Sequence, residues 1–367
     1  MRRSSLSIAV CSKIAEPIRR LLSGLSVLSN ELKVERVDVD VFPSSSDSCC
    51  VLVLFPITRP LLKPELERLR MVSGFLHVCF YSFPVREQQP KISELLEKVV
   101  PKNFLTHIPH SLDIIGDIAI VELNPEIWEF RSAVGDAILR SNRHVKAVFA
   151  KGGRVNGVYR VRRLVHIAGE ARTITLHKEN GCIFKVDVAN TYFSPRLSGE
   201  RVRVASQVNP GEVVVDLFAG VGPFSILIAK MRSGIVHAID INPFAIQLLE
   251  ENIKLNKVSG LVHPHLGDCR EVVNAKLKRI ADHVIMNLPS SACKFIDVAC
   301  LALKEKGGVI HYYQFGRDKD ACDSVVKFLE KQLGEVGASL VKVLNVRRVR
   351  STAPREWQIA VDAVVRP

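Results

Sequence analysis

Residues 191–201 read TYFSPRLSGER. Glu200 lies four residues after Arg196 and one before Arg201, in a segment broken by Pro195 and Gly199. A carboxylate among guanidiniums can be an ion-paired connector, a phosphate clamp, or an acid/base pair for chemistry on a nucleobase. The segment closes fifteen residues before DLFAGVGPFS (216–225), where Gly220 and Gly222 permit a tight turn and close backbone approach to a ligand. Further polar groups follow at the ends of apolar runs: Asp240, Asp268 after Gly267, and Asn287 in NLPS (287–290).

The glycine loop lacks the third glycine of a dinucleotide loop; Pro223-Phe224 stands there. A pyrophosphate pressed on the helix N-terminus would favour that glycine, so a nucleoside without phosphates fits better. Asp240 falls where a carboxylate accepts from two ribose hydroxyls, and Asp268 where an acid can take an adenine amino group. Asp216, Asp240, Asp268 and Asn287 close four successive strand-like runs and converge on one crevice, as an open α/β sheet requires. This pattern resembles the seven-stranded S-adenosylmethionine-dependent methyltransferases. The resemblance implies S-adenosylmethionine as cofactor, held around Asp216, Phe218, Gly220, Gly222, Asp240, Ile241, Asp268, Cys269 and Asn287.

NLPS narrows the target. Methyltransferases of exocyclic amines usually carry Asn/Asp-Pro-Pro and a stacking aromatic; here Ser290 replaces the aromatic. Carbon-5 methylation of a pyrimidine needs a nucleophilic cysteine, and Cys293 is displaced into the following helix. A protonated ring nitrogen remains. It needs a base for the proton and a cation for charge developing on the adjacent carbonyl.

The elements around these residues alternate. Strands are expected at 213–218, 235–240, 261–266, 283–288 and 309–315, and helices at 223–232, 243–256, 292–305 and 319–333. Two last strands, 339–349 and 357–365, have no helix between them, which gives a seven-stranded Rossmann-like α/β sheet with one antiparallel member. Upstream, 115–123 reads as a strand, 126–141 as an amphipathic helix, 145–151 as a strand, and 173–188 as a hairpin turning at Asn180-Gly181. Residues 14–29 show helical spacing, 34–42 and 51–57 read as strands around a 43–48 loop, and 59–70 leads into a helix. Three domains are expected: a small α/β unit at 1–62, a basic mixed α/β unit at 63–200, and the methyltransferase sheet at 201–367.

The net charge of +13 is unevenly placed. Between Arg131 and Arg172 stand ten Lys/Arg and two acids, a surplus that suits a polyanion. Arg154, Arg162 and Arg163 lie in this block. No run of eighteen apolar residues suggests a membrane span, and no signal peptide is evident. Nine cysteines without CxxC or regular His/Cys spacing argue for reduced thiols, a cytoplasmic setting and no metal site.

Together YFSPRLSGER, GVYRVR (157–162), the glycine loop, NLP (287–289) and VRSTAPREWQIAVD (349–362) resemble the archaeal and eukaryotic tRNA (guanine-37) N1-methyltransferases. SLDIIGDIAIVELN (111–124) looks like the start of that family's middle domain, and the resemblance covers about 105–367. It implies methyl transfer to N1 of guanosine 37, beside the anticodon. Glu200 would take the N1 proton and Arg160 would stabilise charge on O6. Asn287 and Pro289 would hold the base. Tyr192 and Arg196 would shape its pocket and grip the anticodon loop, and Arg201 would reach the cofactor. The N-terminal domain would contact the outer corner of tRNA. Separately, the sheet accounts for the long apolar helices, so a monomer is expected. One sister branch carries Asn-Pro-Pro-Tyr in the fourth-strand loop, and NLPS points away from it. The alternatives are a wyosine-pathway methyl or aminocarboxypropyl transfer, or a non-catalytic RNA-binding protein. Plainer roles also stay open: an ion pair of Glu200 with Arg196, a phosphate contact for Arg160, a core position for Tyr192, and structural roles for His263 and His265.

Overall fold

The computed structural model describes residues 2–38, 51–73, 76–85, 89–109, 111–153, 157 and 159–367. They fall into two compact units, Met1–Pro90 and Lys91–Pro367.

The first unit is an antiparallel sheet with two helices. Strand β1 (Arg2–Cys11) precedes α1 (Ala15–Gly24), which buries Ile18 and Leu22 one helical turn apart. β2 (Glu35–Asp38), β3 (Val51–Pro56), α2 (Lys63–Val72) and β4 (Leu76–Pro84) complete it, in the order β2-β3-β1-β4. β4 pairs with β1 over nine residues, so this sheet runs past residue 62. The expected 43–48 loop and the end of the 34–42 strand lie outside the described residues. Cys11 is disulfide-bonded, a departure from the reduced thiols expected throughout, whereas Cys79, Cys182, Cys269, Cys293, Cys300 and Cys322 are free.

The second unit opens with α3 (Ile92–Leu96) and a four-stranded sheet in chain order: β5 (Leu112–Ile115), β6 (Ile118–Val121), β7 (Ala147–Lys151) and β8 (Leu164–Gly169). The strand expected at 115–123 is present, shortened, as β6, and β5 before it completes a hairpin. Gly116, at φ +58°, turns the chain between β5 and β6. The expected 126–141 helix is a 3-10 segment, Pro125–Phe130, followed by α4 (Arg131–Ser141), which packs on β7 and β8. The hairpin β9 (Ile174–Glu179) and β10 (Cys182–Asp187) turns at Asn180 and Gly181, both at positive φ, as its sequence predicts.

After α5 (Ser198–Ala205) comes the seven-stranded sheet: β11 (Val213–Asp216), β12 (Ile235–Asp240), β13 (Val262–Leu266), β14 (His283–Met286), β15 (Gly308–Arg317), β16 (Ser339–Ala353) and β17 (Glu356–Arg366). Their order is β13-β12-β11-β14-β15-β17-β16, and β17 is antiparallel to both its neighbours. This is the expected Rossmann-like sheet with one reversed strand. Helices α6 (Pro223–Arg232), α7 (Pro243–Leu255), α8 (Cys269–Lys276), α9 (Ile296–Ala302) and α10 (Ala321–Glu335) accompany it. Val214, Val236 and Ala238 join the cluster containing α6 and α7 residues. Val215, Ile239, Val284 and Ile310 join the one containing α8, α9 and α10 residues. That division is the period-2 alternation of strands buried on both faces.

Two asparagines fix the segment carrying Glu200. Asn252 on α7 and Asn256 at its C-cap lie one turn apart and bond the backbone of β10 as a neighbouring strand would. Lys185 N donates to Asn252 Oδ1 at 2.6 Å, and Ile183 N to Asn256 Oδ1 at 2.9 Å. Each amide returns a bond to the carbonyl of the same residue. Asn242 Nδ2 adds a bond to Asn190 O at 2.8 Å. The hairpin is thereby tied to the sheet, and the chain at 191–200 enters α5 beside the glycine loop.

Candidate active site

The glycine loop joins β11 to α6. Gly220 and Gly222 sit at φ +57° and +85°, in the region that suits glycine. A Cβ on Gly220 would meet only Tyr192 O at 3.6 Å, whereas one on Gly222 would lie 2.3 Å from Leu249 Cδ1. Gly220 therefore leaves open space where a ligand can approach, and Gly222 is needed for packing. Asp240 closes β12 and binds the loop: its Oδ2 accepts from Gly220 N at 2.7 Å and its Oδ1 from Asn242 N at 2.9 Å. Burial pushes the Asp240 carboxyl up, and these backbone donors oppose it.

Asp216 is fully buried, and burial pushes its carboxyl up to about 7. Ser225 Oγ donates to its Oδ2 at 2.8 Å, while Oδ1 has no hydrogen-bond partner. An unpartnered carboxylate oxygen at a strand end beside an open glycine turn fits a ligand carrying donor or cationic groups. Asp268 caps α8, accepting from Arg270 N at 2.8 Å, so part of its role is local. Ile241 is exposed beside Asp240. The Cys269 thiol is buried and pushed up to about 12, first by burial and then by Asp268, which makes it no nucleophile. Phe218 packs edge-on against Phe295, with ring centroids 5.1 Å apart.

The opposite wall comes from residues far apart in the chain. Arg160, at φ +53°, donates from Nη2 to Ser290 Oγ, which brings GVYRVR onto NLPS. Burial pushes its guanidinium down and Tyr192 opposes this. Asn287 Oδ1 accepts from Gln358 Nε2 at 3.4 Å, and Gln358 Oε1 accepts from Arg350 Nε at 2.9 Å. Arg350 also reaches Tyr192 OH and Ser194 Oγ, each at 3.4 Å. Tyr192 is half-exposed rather than core. Pro289 and Ser290 border a cleft of about 370 Å³ with Gln314, Phe315, Arg317 and Glu356. A larger cleft of about 1040 Å³ lies between β9 and α7, and none of the strand-end residues lines it.

Glu200 is 3% exposed. Its Oε2 accepts from Arg203 Nε at 2.9 Å and from Tyr313 OH at 3.2 Å. Its Oε1 lies 3.2 Å from Arg347 Nε as an ion pair but accepts no hydrogen bond. The ion pair with Arg196 left open by the sequence is absent, because Arg196 Nε binds Asp113 Oδ1 at 2.6 Å. Arg201 has partners other than those expected. It is 2% exposed, with Nη1 on both oxygens of Glu179 at 2.6 and 2.7 Å, Nη2 on Ser194 O at 2.8 Å, and its guanidinium over Phe193. It locks the 191–201 turn to the β9–β10 hairpin.

Of the basic block, Arg172 is bound to Asp117 and Glu170, and Lys151 to Glu122. Arg162 and Arg163 lie just before β8, where Arg163 is exposed and Arg162 half-buried. Arg154 lies outside the described residues. Among the described residues, no cluster of His, Cys, Asp and Glu could hold a metal ion. Arg203, Tyr313, Arg347, Arg350, Gln358 and Asp362 were not singled out from sequence. The signal was available for two of them: Gln358 and Asp362 interrupt the otherwise apolar strand WQIAVDAVV.

Residues 175–341 match the TRM5/TYW2 methyltransferase domain, and residues 92–173 match the TYW2 N-terminal domain. The chain is 41% identical to the tRNA (guanine(37)-N(1))-methyltransferase Trm5b of Pyrococcus abyssi, over 98% of each chain. The crystal structure of that relative superposes with a TM-score of 0.68 at 40% identity, covering 98% of this chain and 99% of the other. A complex of aTrm5 with tRNALeu gives 0.66 at 36% identity over 98% of this chain and 99% of the other. Methanocaldococcus jannaschii TYW2 in complex with AdoMet gives 0.55 at 33% identity, over 70% of this chain and 99% of that one.

Proposed function

Because this chain belongs to the TRM5/TYW2 methyltransferase family, we propose that it transfers a methyl group from S-adenosylmethionine to N1 of guanosine 37 in tRNA. The observation that carries this reading is Glu200: a buried carboxylate, fixed through one oxygen, whose other oxygen accepts no hydrogen bond. A base for N1–H needs that arrangement. The cofactor, when bound, supplies an electrophilic methyl group. Asp216 Oδ1, Asp240 and the open space at Gly220 are the groups that would hold it, with Phe218, Gly222, Ile241, Asp268, Cys269 and Asn287 around them.

The protein's own residues divide the remaining work. Glu200 Oε1 takes the N1 proton. Arg160, held on the NLPS loop, stabilises negative charge on O6. Asn287, its Oδ1 engaged by Gln358, directs its amide N–H groups to its ligands, and Pro289 walls the base. Tyr192, Arg196, Arg162 and Arg163 contact the RNA, with Arg154 beside them in sequence. Arg196 first releases Asp113. Arg201 acts through the turn it anchors. The N-terminal domain grips the outer corner of the tRNA, the basic middle region links it to the methyltransferase sheet, and a monomer in the cytoplasm suffices. Among the described residues no helix is long and apolar enough to cross a membrane.

The match of 92–173 to the TYW2 N-terminal domain favours a second reading, aminocarboxypropyl or methyl transfer to a wyosine precursor at the same position. Against it, the Trm5b relative matches over 98% of the chain and the TYW2 structure over 70%. Unmodified tRNA transcripts bearing G37 or A37, alongside tRNA carrying the wyosine precursor at position 37, separate the two, with cofactor labelled on the methyl or on the aminocarboxypropyl carbon. Methyl label on N1 of G37 alone is expected. Equal labelling of A37, or transfer of the carbon chain, overturns the proposal, and binding without transfer returns the protein to an RNA-binding role.

A further inference from the structure

Glu200 is the end of a buried chain that crosses the sheet. Arg203, which donates to Glu200 Oε2, is bound through Nη1 to Asp362 Oδ2. Asp362 Oδ1 lies 2.7 Å from His311 Nδ1. His311 Nε2 lies 3.1 Å from His283 Nδ1, with ring planes 3° apart. His283 Nε2 lies 3.0 Å from Glu212 Oε2. Asp362 and His311 are fully buried, His283 is 5% exposed, and the partly exposed Glu212 opens the chain to water. The links come from α5, β17, β15, β14 and the turn before β11.

Counting protons fixes the charge of this chain. Three hydrogen bonds join Glu212, His283, His311 and Asp362, and each needs one proton. With both carboxylates ionised, all three protons must sit on ring nitrogens. Two neutral imidazoles bring only two, so one ring is an imidazolium. Burial and the neighbouring His311 push His283 down, against Glu212 and Asp282, and the pair carries the one extra proton between its two rings. Burial opposes ionisation of Asp362, yet His311, Arg203 and Gln207 hold its carboxyl well below the ordinary range. Charges then alternate from Glu212 through the histidine pair, Asp362 and Arg203 to Glu200, with Arg347 on the far side of Glu200. Burial, and then Glu200, keeps the Tyr313 hydroxyl protonated, as a donor needs.

We propose that Asp362 is a positioning residue for proton abstraction: held by His311 of the charged histidine pair, it fixes and neutralises Arg203, and Arg203 in turn fixes the Glu200 carboxylate. This rests on Glu200 acting as the base. Without the Asp362 charge, Arg203 acts on Glu200 alone, favours its ionised form and makes it a weaker base.

The test uses the full chain and G37 transcript. In Asp362→Asn, single-turnover methylation falls on the order of 10- to 100-fold. KM for tRNA and cofactor is unchanged, and the acid limb of the rate profile moves to lower pH. Asp362→Glu, which keeps the charge, leaves the limb in place. NMR of the histidine side chains finds three ring-bound protons on His283 and His311 in the wild type and two in Asp362→Asn. A rate loss that only follows the folded fraction, with the acid limb unmoved, overturns the proposal, as do two protons in the wild type. If Asp362→Asn folds poorly, Arg203→Lys decides: it keeps the charge but cannot span Glu200 and Asp362 together, so kcat falls at constant KM, and an unchanged kcat overturns the link. Glu200→Gln run in parallel separates the two claims. Wild-type turnover there defeats the base assignment, whereas a slow Glu200→Gln beside a wild-type Asp362→Asn defeats this one.

Discussion

Replacing Glu200 with glutamine keeps the size of the side chain and removes its basicity. The amide oxygen can still accept from Arg203 and Tyr313 where Oε2 does now, at 2.9 and 3.2 Å. Its nitrogen then occupies the Oε1 position, 3.2 Å from Arg347 Nε, so a donor faces a donor. Arg203 keeps Asp362, so no buried cation is orphaned and the stability cost stays at about 1–3 kcal/mol. Loss of a general base costs far more in rate, about 10²- to 10⁴-fold, or roughly 3–5 kcal/mol of transition-state stabilisation. Single-turnover methylation of G37 transcript measures the chemical step, and filter binding measures tRNA affinity on the same preparation. The rate is expected to fall by at least two orders of magnitude, on the order of the smallest general-base effects, while tRNA affinity changes little. Equal losses in rate and affinity would refute the argument and leave Glu200 as a structural ion-pair partner of Arg203 and Arg347.

Arg160→Ala should lower kcat by about 10²-fold, as loss of a charge-stabilising donor does, with cofactor affinity unchanged; isothermal titration with cofactor checks the second half. Gly222→Ala should destabilise by about 1–3 kcal/mol, because strained φ adds to the clash with Leu249, whereas Gly220→Ala carries backbone strain without that clash; urea unfolding of both variants shows whether the order holds. Asp216 makes the ligand-free protein pH-dependent. Its carboxyl is raised from 3.8 to about 7, so the folded state binds the extra proton and stability falls as pH rises across that window. The ceiling is about 4 kcal/mol at 1.36 kcal/mol per unit, and Asp216→Asn should flatten the slope in thermal melts. Deleting residues 1–90, a compact unit of its own, should weaken tRNA selection and leave cofactor affinity intact, measured by competition between folded tRNA and an anticodon stem-loop.

The sequence by itself determined where the residues of the proposed cofactor half of the site stand. Its signals are local: an apolar run of period two, a glycine pair at the turn, and a polar residue at each strand end. Asp216, Gly220, Asp240, Asp268 and Asn287 lie where those signals put them, and so do the hairpin at Asn180-Gly181 and the reversed last strand. Only the tertiary structure decided the roles of the charged residues. Arg196 and Arg201 flank Glu200 in the chain, yet one reaches Asp113 and the other Glu179. The partners of Glu200 come from one turn along α5 and from strands more than a hundred residues away. A charged side chain pairs with whatever the fold brings within about 3 Å, and chain adjacency places no limit on that. The same holds for Asp362: in WQIAVDAVV it is one acid in an apolar strand, and only the parallel register of β14 with β15 and the antiparallel register of β15 with β17 align His283, His311 and Asp362 into a chain that ends at the proposed base.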